Sequence, residues 1–118
     1  MAHILVIDDE ESIRFTFHRF LATKAHEVTT ADCYAAALSR MDQEYFDLIL
    51  ADINLGDGWG TDILQEVARR GLATRVIIMT AYPSNETHAV SLNQQAKDYL
   101  IKPVRQETLV RSIDNALE

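Results

Sequence analysis

The amino-acid sequence predicts a doubly wound α/β fold in which five parallel strands alternate with five helices. Three observations carry this. Short apolar runs rich in β-branched residues and leucine recur along the chain. An amphipathic stretch separates each run from the next. Four of the runs end on a polar stop: Asp8-Asp9, Asp52, Thr80 and Lys102. Alternation of this kind implies right-handed crossovers and a parallel sheet with helices on both faces.

The first strand is His3–Asp8, whose Ile4-Leu5-Val6-Ile7 run suits a strand covered on both sides. Ile13, Phe17, Phe20 and Leu21 then recur at helical spacing, with Arg14, His18 and Arg19 directed elsewhere. Glu27–Ala31 is a weaker strand, and Ala35, Leu38 and Met41 mark a short second helix. Phe46–Ala51 is a third buried strand, ending at Asp52. Gly56, Gly58 and Gly60 form a loop, after which Thr61 is placed to cap a helix with Ile63, Leu64 and Val67 on its face. Arg75–Met79 is the fourth strand, stopping at Thr80. A fourth helix follows Pro83-Ser84, then a short strand Asp98–Ile101, then a last helix carrying Leu109, Ile113 and Leu117. No repeat, low-complexity run or linker interrupts this order, so the expected organisation is one domain over residues 1–118.

Composition narrows the function. The chain has 118 residues, is 47% hydrophobic and 25% charged, and carries a formal net charge of −7. That balance argues against direct nucleic-acid binding, which needs a basic surface. The one cysteine, Cys33, cannot form an internal disulfide, consistent with a reducing compartment. The apolar run at Ile4–Ile7 is too short for a signal peptide or a membrane span. A soluble, cytoplasmic protein with no membrane partner is the expectation.

In a doubly wound sheet the carboxyl ends of the strands share one edge, and ligands sit where the strand order reverses. If the first and third strands are neighbours, Asp8, Asp9 and Asp52 converge there, flanked by Lys102 and Thr80. Any one of these alone reads as a turn residue or a helix cap. Matching polar residues at four strand ends are harder to explain that way. Three carboxylates against one ammonium leave a local charge of about −2, which calls for raised pKa values or a cation. Hard oxygen ligands favour Mg²⁺ or Mn²⁺, whereas His3, His18, His26 and His88 are scattered on no zinc-like spacing. An aspartate beside such an ion can attack phosphorus and form an acyl phosphate. The ion and Lys102 would offset charge on the transferred group's oxygens, and Thr80 would donate its hydroxyl to one of them.

The ordered segments ILVIDDE, DLILADINLGDG, VIIMTAY and DYLIKP resemble the receiver domain of two-component response regulators, over essentially the whole chain. The resemblance implies a flavodoxin-like sheet in the order 2-1-3-4-5 and a phosphorylation-activated signalling switch. It implies that Asp52 is the phosphoacceptor. Asp9, Asp52 and the Asn54 backbone carbonyl would be direct metal ligands, with Asp8 acting through water. Lys102 would bind phosphate, the Lys102-Pro103 bond would be cis, and Thr80 and Tyr99 would form the switch pair. The read-out surface would be helix four, strand five and helix five. The donor would be a phosphohistidine on a sensor histidine kinase or a histidine phosphotransfer protein. A homodimer on activation is also among the implied partners, and the output domain or effector is left open: the chain is either a stand-alone receiver or part of a longer regulator. Such a protein assists its own modification and is not an enzyme in the usual sense.

Several residues depart from the family pattern. Leu55-Gly56 stands where a proline is common, which should loosen that loop. Gln95 occupies a place usually held by glycine, at a cost of about 1 kcal/mol if the backbone stays left-handed. Helix four is polar, with Ala89, Leu92 and Ala96 as its expected apolar contacts, and should be the least protected helix. Tyr82, with Asn54 opposite, is placed to slow hydrolysis of the acyl phosphate. Phe15, away from the apolar face of helix one, is a candidate kinase contact. Tyr99 also reads as an ordinary half-buried strand tyrosine. The rival functions are a flavodoxin-like cofactor binder, a pseudo-receiver that never takes phosphate, and a metal-dependent phosphatase. The acidic Asp8-Asp9-Glu10-Glu11 loop would repel a cofactor phosphate, which counts against the first.

Overall fold

Five strands and five helices alternate through the chain in a computed structural model that describes residues 1–118. They are β1 (His3–Ile7), α1 (Glu11–Thr23), β2 (Glu27–Ala31), α2 (Tyr34–Gln43), β3 (Leu48–Asp52), α3 (Gly60–Arg69), β4 (Arg75–Thr80), α4 (Asn85–Asn93), β5 (Asp98–Ile101) and α5 (Gln106–Leu117). The sheet is parallel throughout, in the order β2-β1-β3-β4-β5, as expected from the resemblance.

The three central strands explain their own sequences. Alternate side chains point to opposite faces of a sheet. Ile4, Val6, Leu48, Leu50, Ile77 and Met79 pack with Phe17, Leu21, Leu109 and Ile113 from α1 and α5. Leu5, Ile7, Ile49, Ala51, Val76 and Ile78 pack on the other face with Met41, Ile63 and Val67 from α2 and α3. Both faces are covered, so these strands read as continuous apolar runs. β2 lies at the sheet edge and is only partly covered, which is why its Glu-Val-Thr-Thr-Ala sequence is a weaker signal. No helix is long and apolar enough to cross a membrane.

β1 stops at Ile7 rather than Asp8, and β3 runs over Leu48–Asp52 rather than Phe46–Ala51. Beyond these strand ends the structure departs from or adds to expectation in three places. Thr61 lies inside α3 rather than capping it. The helix begins at Gly60, and the Asp62 carboxylate reaches back to accept the Trp59 N–H at 2.9 Å. Such a back-bonded acid at the third position closes a helix start without an N-cap side chain. Gly60 is required there because a Cβ would sit 2.5 Å from the Asp52 carbonyl oxygen.

Arg14 is the second difference. Its guanidinium turns back to donate to the Asp8 carbonyl oxygen at 2.7 Å.

The third concerns α4. Ala96 is buried as expected, but Ala89 and Leu92 face solvent, Leu92 with 53% of its surface exposed. The helix instead turns Ser91 and Thr87 inward. Ser91 Oγ donates to the Thr87 carbonyl at 2.7 Å, so the buried hydroxyl meets its demand inside the helix. Gln95 does take the left-handed backbone, with φ +69°. Ala25, after α1, takes the same conformation at φ +64°, and Gly71, after α3, does so at φ +65°.

Candidate functional site

β1 and β3 are adjacent and in register, with Ile7 opposite Ala51, so the next residues, Asp8 and Asp52, emerge side by side. β4 and β5 bring Thr80 opposite Ile101, and Lys102 follows directly. The strand order therefore assembles polar residues that are far apart in sequence along one edge of the sheet.

Asp8 is fully buried, and both of its oxygens are engaged. Oδ1 accepts the Glu10 N–H at 2.9 Å, and Oδ2 accepts from Lys102 Nζ at 2.5 Å. The same Nζ lies 3.4 Å from an Asp52 oxygen. Asp8, Asp9 and Asp52 each present an oxygen within 4.8 Å of the others, with Asp9 exposed to solvent. Burial holds the Asp52 carboxyl above the usual carboxylate range; Lys102 opposes this, while Asp8 and Asp9 reinforce it. Lys102 is the mirror case. Burial disfavours its charge, but the Asp8 hydrogen bond and the carboxylates around it hold the ammonium above its ordinary pKa. A lysine held charged between two carboxylates, with a third beside them, leaves negative charge in excess. A hard cation answers that excess, and an all-oxygen donor set suits one.

Asn54 sits on the rim of this cluster. Its side-chain oxygen accepts the Gly56 N–H at 3.0 Å, and it forms an isolated bridge with Trp59. Nearby amides bond across the loop, Leu55 N–H to Gly58 and Gly60 N–H to Ile53, and no donor of the chain takes the Asn54 carbonyl. The loop carries these bonds without the proline common at the Leu55-Gly56 position. Gly56 turns at φ +81°, which a proline could not adopt, and the bonds around it hold the loop.

Thr80 is buried at the end of β4, and its Oγ1 accepts the Tyr82 N–H at 3.0 Å. Tyr82 itself lies in solvent, 87% exposed. Tyr99 is half-buried on β5. Its hydroxyl is 2.6 Å from Thr87 Oγ1 and accepts the Ser84 N–H at 3.4 Å, and the His88 ring stacks on it at 4.7 Å. The sequence placed Tyr99 near Thr80 but did not show that α4 itself holds the tyrosine. Phe15 is exposed on α1 under the Arg19 guanidinium, which lies 5.5 Å from the ring centre. The Lys102-Pro103 bond is cis.

So Asp8, Asp9, Asp52 and Lys102 come together, Thr80 and Asn54 border them, and Tyr99, Tyr82 and Phe15 stand outside. The sequence did not reveal Arg14, whose helical position lies off the apolar face, or Gly60, whose role depends on a contact with the Asp52 backbone.

Comparison with known proteins gives the arrangement a context. The response regulator receiver domain family matches residues 4–114. The alginate biosynthesis transcriptional regulatory protein AlgB of Pseudomonas syringae pv. tomato is 34% identical over 115 residues, covering 98% of this chain. The chain spans only 26% of that regulator's length. Among solved structures, a CheY-like response regulator receiver domain protein from Methanospirillum hungatei JF-1 superposes with a TM-score of 0.94 at 32% identity, covering 99% of this chain and 94% of that one. A Burkholderia pseudomallei response regulator carrying a phosphorylated aspartic acid and a calcium ion superposes at 0.86 with 30% identity, covering all of this chain and 67% of its own. With a match over nearly its whole length and the expected strand order in place, the chain belongs to the response regulator receiver domain family.

Proposed function

We propose that Asp52 accepts a phosphoryl group from a phosphohistidine on a sensor histidine kinase or histidine phosphotransfer protein. The observation that carries this reading is Lys102 Nζ standing between Asp8 and Asp52, at 2.5 and 3.4 Å, inside a three-carboxylate cluster. The phosphorylated aspartate of the Burkholderia relative supports it.

In the transfer, an Asp52 oxygen bonds to phosphorus as the P–N bond of the donor breaks. The departing imidazole nitrogen keeps the electron pair and takes up a proton. Asp9, Asp52 and the Asn54 carbonyl would hold Mg²⁺ or Mn²⁺ directly, with Asp8 behind a water. When bound, the ion supplies positive charge to the phosphoryl oxygens. Lys102 is already charged and oriented, so it meets the incoming oxygens without rearranging first. Thr80 Oγ1 still has its own proton to donate to a phosphoryl oxygen. Moving toward that oxygen loosens its bond to the Tyr82 amide and opens space toward Tyr99. The tyrosine's hold on Ser84 and Thr87 then transmits the change to the α4–β5–α5 surface. Exposed Tyr82 and Asn54 flank the path by which water would reach the acyl phosphate and set its lifetime.

The protein so read is a cytoplasmic switch that serves its own modification, with Phe15 as part of the kinase contact and a homodimer as one consequence of activation. Its net charge of −7 assigns nucleic-acid binding in a longer regulator to some other part. The test is incubation with acetyl phosphate and Mg²⁺, followed by intact mass. Wild type should gain one base-labile phosphoryl group and Asp52→Asn none. A wild type that stays unmodified overturns the reading and leaves the pseudo-receiver, whereas an Asp52→Asn variant that still gains the group overturns the assignment of Asp52 as the acceptor.

A further inference from the structure

The loop that carries Asn54 is fastened to a helix on the far side of it. Asp57 Oδ1 accepts the Tyr34 N–H at 2.7 Å, and Oδ2 accepts the Ala35 N–H at 3.0 Å. These are the first two amides of α2, and the third, Ala36, is taken by Cys33 Sγ at 3.4 Å. A helix start leaves its first amides without partners inside the helix. Asp57 therefore supplies, from a distant loop, what a local N-cap would otherwise have to provide.

The same loop makes a second contact beside the first. Gly58 lies so close to the Tyr34 ring that a Cβ would stand 2.8 Å from its Cγ. Between this anchor and Asn54 the loop is short and closed on itself. Leu55 is buried, its N–H donates to the Gly58 carbonyl at 3.0 Å, and Asn54 bridges to Trp59. These cross-bonds tie Asp57 and Asn54 into one small closed loop, so a restraint on Asp57 bears on Asn54.

We infer that Asp57 is a positioning residue that fixes the Asn54 carbonyl for cation binding by anchoring the loop to the N-terminus of α2. This rests on the reading of Asp9, Asp52 and Asn54 as cation ligands. It also supplies a restraint where the proline is missing: the carboxylate and its two amides hold the loop from outside. The coupling runs both ways, because a ligand that favours one arrangement of the loop must also favour the α2 contact that this arrangement includes.

The experiment titrates Mg²⁺ into the full chain, following the fluorescence of Trp59, the only tryptophan, and the hydrogen exchange of the Tyr34 and Ala35 amides. In wild type, saturating Mg²⁺ should slow exchange at those two amides. Asp57→Ala should bind Mg²⁺ about fivefold more weakly, the scale of a lost helix cap converted to affinity, and lose the exchange response. Asp57→Asn keeps one acceptor oxygen and should fall between. Gly58→Ala leaves Asp57 intact but pushes the loop off Tyr34, and should weaken binding in the same direction; it carries the test if Asp57→Ala does not fold. Unchanged affinity in Asp57→Ala or Gly58→Ala, with wild type binding normally, overturns the inference and leaves the site standing. A wild type that binds no Mg²⁺ overturns the site and the inference together.

Discussion

The strand ends around Asp52 and the α4–β5 edge differ in how they are held. All five residues of β3 are buried, and its neighbours β1 and β4 are covered on both faces. The nine residues of α4 bury one side chain, Ser91, and that one is polar. What secures α4 is hydrogen bonding at its start: Ser84 Oγ accepts the Thr87 N–H at 3.0 Å, and Thr87 meets Tyr99. Its other end passes into Gln95, a side-chain-bearing residue in a conformation that suits glycine. The charged cluster thus stands on tightly packed strands, while the neighbouring helix is tied by a few polar contacts. Packed cores resist graded deformation, whereas a helix held by a short list of hydrogen bonds can exchange one set for another. Chemistry placed on the first and read-out on the second is a workable division for a switch.

The largest expected effect lies on the rigid side. Lys102→Ala removes the partner of a fully buried carboxylate, Asp8, and leaves three acidic groups facing one another. Breaking a buried pair in this way should cost about 3 kcal/mol in urea unfolding without Mg²⁺. A loss below about 0.5 kcal/mol would mean that the ion pair is well solvated, and the contrast between the two regions would shrink.

A smaller effect, of opposite sign, is expected on the α4 side. Gln95→Gly relieves the left-handed backbone and should stabilise the protein by about 1 kcal/mol in the same measurement. No gain would show that the Gln95 side chain recovers the backbone cost through contacts of its own.

How much of this was legible in the sequence follows from the range of the interactions. Four strand ends could be read because a buried run is continuous and its polar stop is abrupt: Ile4–Ile7 before Asp8, and Leu48–Ala51 before Asp52. The strand order then brought those stops together, so Asp8, Asp9, Asp52 and Lys102 were identified from residues up to 94 apart. What escaped depended on contacts that no local pattern encodes. Asp57 reaches α2 across 23 residues, and Arg14 turns toward a carbonyl although its position reads only as lying off the apolar face. The inward face of α4 was misplaced for a related reason. Ala89, Leu92 and Ala96 make an apolar line, but Thr87 has a bond to make with Tyr99, and the helix is turned accordingly.

Charge added at Asp52 should act on α4 and β5 while the packed strands stay as they are. Residue-resolved hydrogen exchange with and without beryllofluoride and Mg²⁺ tests this most directly. Altered protection is expected at Ser84–Gln95 and Tyr99, with little change through β1 and β4 and no response in Asp52→Asn. An equal change across the whole sheet, no change in α4, or the same response from Asp52→Asn would contradict it.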